Sequence, residues 1–299
     1  MGGSAKTPLA AWLASALLER GRRVVLASRG YGRSGREPIV VVSDGRALQC
    51  GVAEAGDEPL LLAAHAPGVP VLVGARRDLV GRRAIAAFGA EVIVLDDAFH
   101  HHRLARDVDV IALDGRAGLG NGRVLPRGPL REPMATIGRA HALITVDGPL
   151  PAADEERLAQ VAPGIRRVAA TRVPRSLRPL GGGAARPPQT LQGWDVGMLC
   201  GIARPASFRR TLESLGARVV AERTFPDHHR YRAGDLRSLG NAHPIWVTTE
   251  KDAVKLDEAW VPDADLWVLG SGLEVPDAET FLDWLEDALA VRGRFVGTQ

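Results

Sequence analysis

Near its start the chain carries a short glycine-containing stretch that leads directly into a predicted helix, Gly2-Gly3-Ser4-Ala5-Lys6-Thr7-Pro8. Apolar residues recur with helical spacing from Leu9 to Leu17, and Gly21 lies just past the end of that pattern. Backbone N–H groups at a helix N-terminus attract anions, a lysine can reach the outer phosphates, and a hydroxyl can hold Mg²⁺. The stretch therefore predicts a phosphate-binding loop for a nucleotide.

The match to the phosphate-loop pattern is incomplete. Ala5 stands where the pattern has glycine, the first glycine of the pattern would fall before Met1, and no strand precedes the loop. An ordinary turn before a helix is therefore the alternative interpretation of these residues taken alone.

Composition excludes several classes of protein. No stretch approaches the roughly 20 apolar residues of a membrane span, and no secretory signal pattern opens the chain. Cys50 and Cys200 are far apart and form no CxxC motif, which favours a reducing compartment. The net charge of +3 suits an anionic substrate or surface. No nucleic-acid-binding signature is present, so we expect no nucleic-acid partner.

Lysine is rare in this chain. Only three of the 38 basic residues are lysine, namely Lys6, Lys251 and Lys255. A compact ammonium is chemically distinct from a guanidinium fork, so positions that keep lysine are candidates for a specific role. The alternative is that lysine remains at these three positions by chance.

Apolar strand-like runs alternate with helical patterns along the first part of the chain. The runs are Val24–Ala27, Val69–Val73, Val92–Leu95, Val108–Leu113 and Leu143–Val146. Nearly continuous apolar strands separated by helices indicate an α/β fold with a parallel sheet covered on both faces. Residues 1–178 are therefore predicted to form a P-loop NTPase-like domain.

A low-complexity stretch over residues 179–190, with three consecutive glycines and a Pro-Pro pair, predicts a linker. The alternation then resumes at Val196–Leu199, Val219–Val220, Ile245–Thr248 and Leu266–Leu269. We expect residues 191–299 to form a second, smaller α/β lobe.

Acidic and histidine residues mark the candidate chemistry. Asp96 and Asp97 end an apolar strand, where carboxylates can engage Mg²⁺. Asp57 opens a helical run. The alternative interpretation is that it is an ordinary acidic residue in the first turn of a helix. Five of the eight histidines lie in two clusters, at 100–102 and 228–229, which leaves a metal-dependent hydrolase open.

Taken together, eight segments in a fixed order resemble the tetraacyldisaccharide 4′-kinase family, the lipid A 4′-kinases. They run from residue 2 to about residue 256 and comprise Gly2–Pro8, Ser28–Arg33, Gly56–Pro59, Leu95–His101, Gly120–Pro133, Gly201–Phe208, Phe225–His229 and Thr249–Lys255. The resemblance implies phosphoryl transfer from ATP, with Mg²⁺, to the 4′-hydroxyl of a tetraacyldisaccharide 1-phosphate. It also implies peripheral contact with the bacterial inner membrane, at its cytoplasmic face.

The resemblance assigns roles residue by residue. It implies that Lys6 pairs with the β- and γ-phosphates, and that Asp57 accepts the sugar hydroxyl proton with His228 as its partner. The residues that it suggests for Mg²⁺ are Thr7, Asp97 and Glu132. Those that it suggests for the phosphate or disaccharide are Arg29, Tyr31, Arg77 and Arg131.

The chain departs from the family pattern at three places. His100 replaces the usual glutamine and Ala98 the usual glycine, which leaves any direct contact by residue 100 open. The family has a first strand and a membrane-facing segment before the phosphate loop, so we expect that the true start lies upstream of Met1. A non-catalytic relative that binds nucleotide or lipid is the second interpretation, and the metal-dependent hydrolase is the third.

Overall fold

The computed structural model describes residues 6–35, 37–237, 239, 245–260 and 265–293. Its helices are α1 (Lys6–Glu19), α2 (Val52–Ala55), α3 (Asp57–His65), α4 (Arg77–Phe88), α5 (Ala152–Val161), α6 (Pro205–Ser214), α7 (Ala233–Leu236), α8 (Glu250–Ala253) and α9 (Ala278–Gly293). Short 3₁₀ helices span Met134–Arg139, Pro188–Leu191 and Glu258–Trp260. Among the described residues, no helix has the length and apolar composition to cross a bilayer.

The strands form two sheets. They are β1 (Val24–Ser28), β2 (Ile39–Ser43), β3 (Val71–Gly74), β4 (Val92–Leu95), β5 (Val110–Asp114), β6 (Ala142–Val146), β7 (Arg166–Pro179), β8 (Asp195–Cys200), β9 (Arg218–Thr224), β10 (Ile245–Thr249) and β11 (Asp265–Glu274). The first sheet has the order β2-β3-β1-β4 and the second has the order β5-β6-β7-β11-β10-β8-β9.

Most neighbouring strands run parallel, and helices cover the sheets. Only the β2–β3 and β7–β11 pairs are antiparallel among the described strands. Strands β1 and β3 are buried along their whole length, as expected for apolar strands with both faces covered. The predicted α/β fold with parallel-rich sheets is confirmed.

Strand β7 joins parts of the chain that lie on either side of the predicted linker. Its first half pairs with β6, and its second half pairs with β11, which follows the linker in sequence. Arg186, within residues 179–190, exchanges two backbone hydrogen bonds of 2.8 Å with Leu177 of β7. The second sheet therefore contains strands from both predicted lobes, and the division at 179–190 stays a prediction.

Helix α1 positions the start of the candidate site. Its apolar face is buried through Leu9, Leu13 and Leu17, and Trp12 stacks on Phe281 of α9 with ring centroids 6.3 Å apart. The same core includes residues of β1, β3, β6 and β7. Because α1 is packed on both sheets and on α9, its first turn is held in one place.

Candidate active site

The first turn of α1 lies against the two aspartates that follow β4. The Lys6 ammonium is 2.5 Å from Oδ1 of Asp97, and the Thr7 hydroxyl donates to Oδ2 of Asp96 at 3.1 Å. The predicted loop residues Gly2, Gly3, Ser4 and Ala5 lie outside the described residues, whereas Pro8 lies in the first turn of α1. The structure thus places a lysine, a hydroxyl and two carboxylates together at a helix N-terminus, where an anion is also favoured.

The two aspartates have different environments. Burial, and after it the nearby carboxylate of Glu58, raise the pKa of Asp96 to about 6. Burial also raises the pKa of Asp97, but Lys6 and Arg131 outweigh that effect and lower it below its usual value. Arg131 is 2.9 Å from Oδ2 of Asp97. Asp97 has a φ of 52°, in the left-handed region that aspartate adopts more readily than most non-glycine residues.

Glu132 is bound to basic side chains rather than to Thr7 or Asp97. Its carboxylate lies 2.8 Å from Nδ1 of His100, 3.0 Å from Nε2 of His102 and 2.9 Å from Arg139. Burial raises its pKa, but the hydrogen bonds from the two histidines outweigh burial and lower it. Both Glu132 and Asp97 border the same cavity, so Glu132 lies near the cluster without joining it.

A second pair joins residues that are 171 positions apart. Nδ1 of His228 is 2.9 Å from Oδ2 of Asp57, which is buried at the first position of α3. Gly56, just before it, has a φ of 88°, and a Cβ there would lie 2.5 Å from the carbonyl oxygen of Tyr31. Only glycine fits this close approach, which fixes where α3 begins and where Asp57 points. His228 also has a positive φ, of 60°.

Lys251 is a functional candidate to which sequence analysis assigned no role. Its ammonium lies 2.6 Å from Oδ1 of Asp227 and 3.4 Å from Nε2 of His228. Burial raises the pKa of Asp227, but Lys251 outweighs burial and lowers it. The rarity of lysine in the chain was the signal that singled out this position. Nothing in the sequence indicated that Lys251 contacts Asp227 and His228, because these two residues lie on another loop.

The remaining predicted ligands differ in exposure. Arg29 and Tyr31 are exposed, and Tyr31 is 73% exposed. Arg77 is buried at the start of α4, where it donates to the carbonyl oxygen of Gly74. Burial lowers the pKa of Arg77, and the nearby positive charge of Arg29 lowers it further. Arg77 and Arg29 are thus neighbours, and Arg131 is already paired with Asp97.

The histidine clusters do not converge on one point. His100 and His102 bind Glu132, and Nε2 of His229 binds Asp235 at 3.1 Å. Within the described residues, no group of three or more histidine, cysteine or acidic side chains is arranged to hold a metal ion. Asp57 and His228 pair with one another instead.

Comparison with known proteins identifies the family. The model of the tetraacyldisaccharide-1-P 4′-kinase family matches residues 1–290, nearly the whole chain. The chain belongs to this family. The resemblance drawn from its eight ordered segments is therefore confirmed.

Individual relatives agree with this assignment. The chain is 47% identical over 269 residues to the tetraacyldisaccharide 4′-kinase of Anaeromyxobacter sp. (strain K), which covers 87% of this chain and 71% of that protein. It is 45% identical over 304 residues to that of Anaeromyxobacter dehalogenans (strain 2CP-C), covering 97% and 79%. A crystal structure of LpxK from Aquifex aeolicus in complex with ATP is similar with a TM-score of 0.76 and 29% identity, covering 96% of this chain and 85% of that one.

Proposed function

We propose that this protein is an ATP-dependent tetraacyldisaccharide 4′-kinase whose transfer site lies between the first turn of α1 and the Asp57–His228 pair. The observation that carries the assignment of the site is the hydrogen bond between Asp57 and His228, beside the Lys6–Thr7–Asp96–Asp97 cluster. Glu58, the residue after Asp57, is near enough to Asp96 of the cluster for its carboxylate to raise the pKa of Asp96.

In this proposal ATP lies at the N-terminus of α1. Lys6 leaves its ion pair with Asp97 or shares it with the phosphates, and neutralises charge on the β- and γ-phosphates. Residues Gly2 to Ala5 would supply backbone N–H groups. Phosphoryl transfer depends mainly on position and charge, so these groups supply most of the catalysis.

Mg²⁺ fits the oxygen atoms of this cluster. Mg²⁺ prefers carboxylate, hydroxyl and phosphate oxygens, and the Thr7 hydroxyl and the carboxylates of Asp96 and Asp97 are such groups at one helix end. We assign the ion to Thr7 and Asp97, and we add Asp96 to this set. Glu132, at the border of the cavity, is the remaining candidate ligand. When bound, the ion would offset negative charge on the phosphates.

Asp57 is the proposed general base. It accepts the proton of the 4′-hydroxyl as the sugar oxygen forms a bond to the γ-phosphorus, and the bond from that phosphorus to the β–γ bridging oxygen breaks to release ADP. His228 holds the Asp57 carboxylate through the hydrogen bond at Oδ2, which leaves Oδ1 to receive the proton. Oδ1 also accepts from the backbone N–H of Glu58 at 3.0 Å, which orients it.

The acceptor is a phosphorylated lipid, and four side chains are proposed to bind its phosphate or sugar: Arg29, Tyr31, Arg77 and Arg131. Guanidinium forks match phosphate oxygens, and Arg29 and Tyr31 are exposed and free to meet a ligand at the surface. A substrate with four acyl chains resides in a membrane. We therefore infer peripheral contact with the cytoplasmic face of the inner membrane, favoured by the net charge of +3.

A transfer assay tests this function. Purified protein is incubated with the disaccharide 1-phosphate acceptor, with and without ATP and with and without Mg²⁺, and products are resolved by mass. We expect one added phosphate, dependent on both ATP and Mg²⁺. Binding of ATP without product would favour the non-catalytic relative, and release of phosphate from the acceptor without ATP would favour the hydrolase.

A further inference from the structure

Helix α3 has a second polar contact with the second sheet, at the end opposite Asp57. His65 is the last residue of α3, and its Nε2 atom lies 2.7 Å from Oε2 of Glu250, the first residue of α8. The His65 side chain is 8% exposed and that of Glu250 is 17% exposed, so the contact is largely shielded from water. We call this the rear contact, and we call the Asp57–His228 hydrogen bond the front contact.

The chemistry of the rear contact determines which atom carries the proton. An ionised carboxylate can only accept, so the proton of this contact lies on Nε2 of His65. Oε2 of Glu250 also accepts from the backbone N–H of Ser271, in β11, at 2.8 Å. Removing one of these two donors is costly, because the desolvation of a shielded carboxylate is then no longer offset. The rear contact is therefore specific in both position and protonation.

The second sheet is shaped to receive the Glu250 carboxylate. The β7–β11 ladder changes register between Gly270 and Ser271, which is the position of a β-bulge. A bulge redirects the backbone groups beside it, and here the Ser271 N–H donates to Glu250. A Cβ at Gly270 would lie 3.2 Å from Oε1 of Glu250 and still closer to Oγ of Ser176, so glycine leaves the space that the carboxylate occupies. Glu250 is thus held by the second sheet independently of His65.

The front and rear contacts lie at opposite ends of α3. Asp57 is the first residue of this nine-residue helix and His65 is the last, and eight steps along a helix separate the two residues by about 12 Å. Backbone hydrogen bonds along the helix hold this length. A displacement of His65 along the helix axis therefore displaces Asp57 by a similar amount.

The groups that face Asp57 belong to the second sheet. His228 lies on the loop after β9, and Lys251, 3.4 Å from its Nε2 atom, is the residue next to Glu250 in α8. Helix α3 packs on β2 and β3 of the first sheet, whereas α8 packs on β10 and β11 of the second, and the two helices are neighbours. The rear contact therefore joins the helix that carries Asp57 to the helix that carries Lys251.

We propose that His65 and Glu250 are positioning residues for the transfer reaction, and that their contact sets the distance from Asp57 to His228. This inference rests on the proposed function, in which Asp57 is the general base. A general base works only within hydrogen-bond reach of its proton, and a misplacement of about 1 Å can lower the rate by about 10²-fold. Neither His65 nor Glu250 contacts the phosphates or the sugar in this proposal, so both act through the front contact.

The test compares two amides at position 65. In His65→Gln the side-chain amide nitrogen takes the place of Nε2 and keeps a donor toward Glu250, whereas the shorter side chain of His65→Asn places it where Nδ1 lies. We expect His65→Asn to lower kcat by about 10-fold and to leave the KM for ATP unchanged, because the base is misplaced while the nucleotide site is untouched. His65→Gln should keep most of the activity.

A spectroscopic measurement separates positioning from a merely structural role, and it needs no activity. Histidine nitrogens are labelled with ¹⁵N, and the Nδ1 resonance of His228 is compared in the parent protein, in both variants and in Asp57→Asn. In His65→Asn this resonance should move toward its position in Asp57→Asn, and in His65→Gln it should stay at the parent position. If the resonance moves in this way in a protein without kinase activity, the proposed function fails while the positioning inference stands.

Equal loss of kcat in His65→Asn and His65→Gln, or normal kcat in both, would overturn the inference. So would a lower melting temperature in His65→Asn with kcat and the His228 resonance unchanged, which is the result expected of a structural contact alone. If His65→Asn does not fold, Glu250→Ala is compared with Glu250→Gln, which keeps an acceptor oxygen, and the same outcomes are expected. In the parent protein, a His65 ring without a proton on Nε2 would by itself contradict the rear contact.

Discussion

The ammonium of Lys6 links the start of α1 to Asp97. Lys6→Ala should lower the rate of phosphoryl transfer by about 10²-fold or more, because in the proposed site it removes the charge that faces the γ-phosphate. The fold should remain, since the Lys6 side chain is 33% exposed and exposed ion pairs contribute about 0–1 kcal/mol. Transfer kinetics and circular dichroism measure the two effects.

Lys6→Arg is the matched control, because it keeps the charge but changes the compact ammonium to a fork. It should retain more activity than Lys6→Ala. Turnover near the normal rate in Lys6→Ala would exclude Lys6 as the phosphate lysine.

We expect Lys251 to be a positioning residue for the Asp57–His228 pair. An ammonium can only donate, so its 3.4 Å contact favours a lone pair on Nε2 of His228 and a proton on Nδ1, which then donates to Asp57. Lys251→Met should lower kcat by about 10-fold and leave the KM for ATP unchanged. Lys251→Arg keeps a donor and should recover part of the loss.

The pH profile separates positioning from a merely structural role. If Lys251 sets the histidine tautomer, the Met variant should shift the acidic limb of the kcat profile. A rise in the KM for ATP without a change in that limb would place Lys251 in nucleotide binding or in stability instead.

At the scale of elements, α1 is fastened to α9 by charge as well as by apolar packing. Arg20, which directly follows α1, lies 2.5 Å from Glu279, 2.7 Å from Asp283 and 2.9 Å from Glu286, all on α9. Hydrogen bonds from Arg22 and then Arg20 lower the pKa of Glu286 below its usual value. A carboxyl group whose pKa is lowered by folding stabilises the fold above its unfolded pKa, and this stabilisation is lost as the pH falls through the folded pKa.

Arg20→Gln should therefore lower the melting temperature at pH 7 by a few degrees at most, about 1–4 °C, because these pairs are largely solvent-screened. The difference from the parent protein should shrink as the pH falls from 5 toward 3, and also at high salt. Arg46→Gln, an exposed arginine between β2 and α2, is the control. A difference that is independent of pH would show that Arg20 acts through packing of its stem.

At the scale of the whole molecule, the Asp57–His228 pair connects the two sheets. Asp57 starts α3, which packs on the first sheet, and His228 follows β9 at the far edge of the second. Asp57→Asn should cut the chemical step by about 10²-fold or more. In the proposed mechanism both residues act as one unit, so the double variant with His228→Ala should be scarcely worse than the more damaging single one.

A double-mutant cycle on the single-turnover rate measures this coupling. Asp57→Asn combined with Arg210→Ala, an exposed residue of α6, is the additive control. An interaction energy within about 0.5 kcal/mol of zero for the Asp57–His228 cycle, as for independent sites, would contradict the pairing.

Local pattern was sufficient for much of the fold. Apolar periodicity predicted α1 and the strands that became β1, β3 to β6 and β8 to β11, because these elements are encoded by neighbouring residues. Strand β7 was not predicted, since its exposed arginines hide an apolar alternation. Strand β2 was also missed, although its sequence is apolar.

The candidate site likewise has a part that local sequence predicts and a part that only tertiary packing decides. Sequence alone determined that Lys6 and Thr7 lie at a helix start and that Asp96 and Asp97 end a strand, because each follows from residues next to it in the chain. Only the tertiary structure decided that Thr7 meets Asp96, that Glu132 binds two histidines, and that Lys251 touches His228. Contacts between distant residues depend on how the helices and sheets pack, and local periodicity carries no information about that packing.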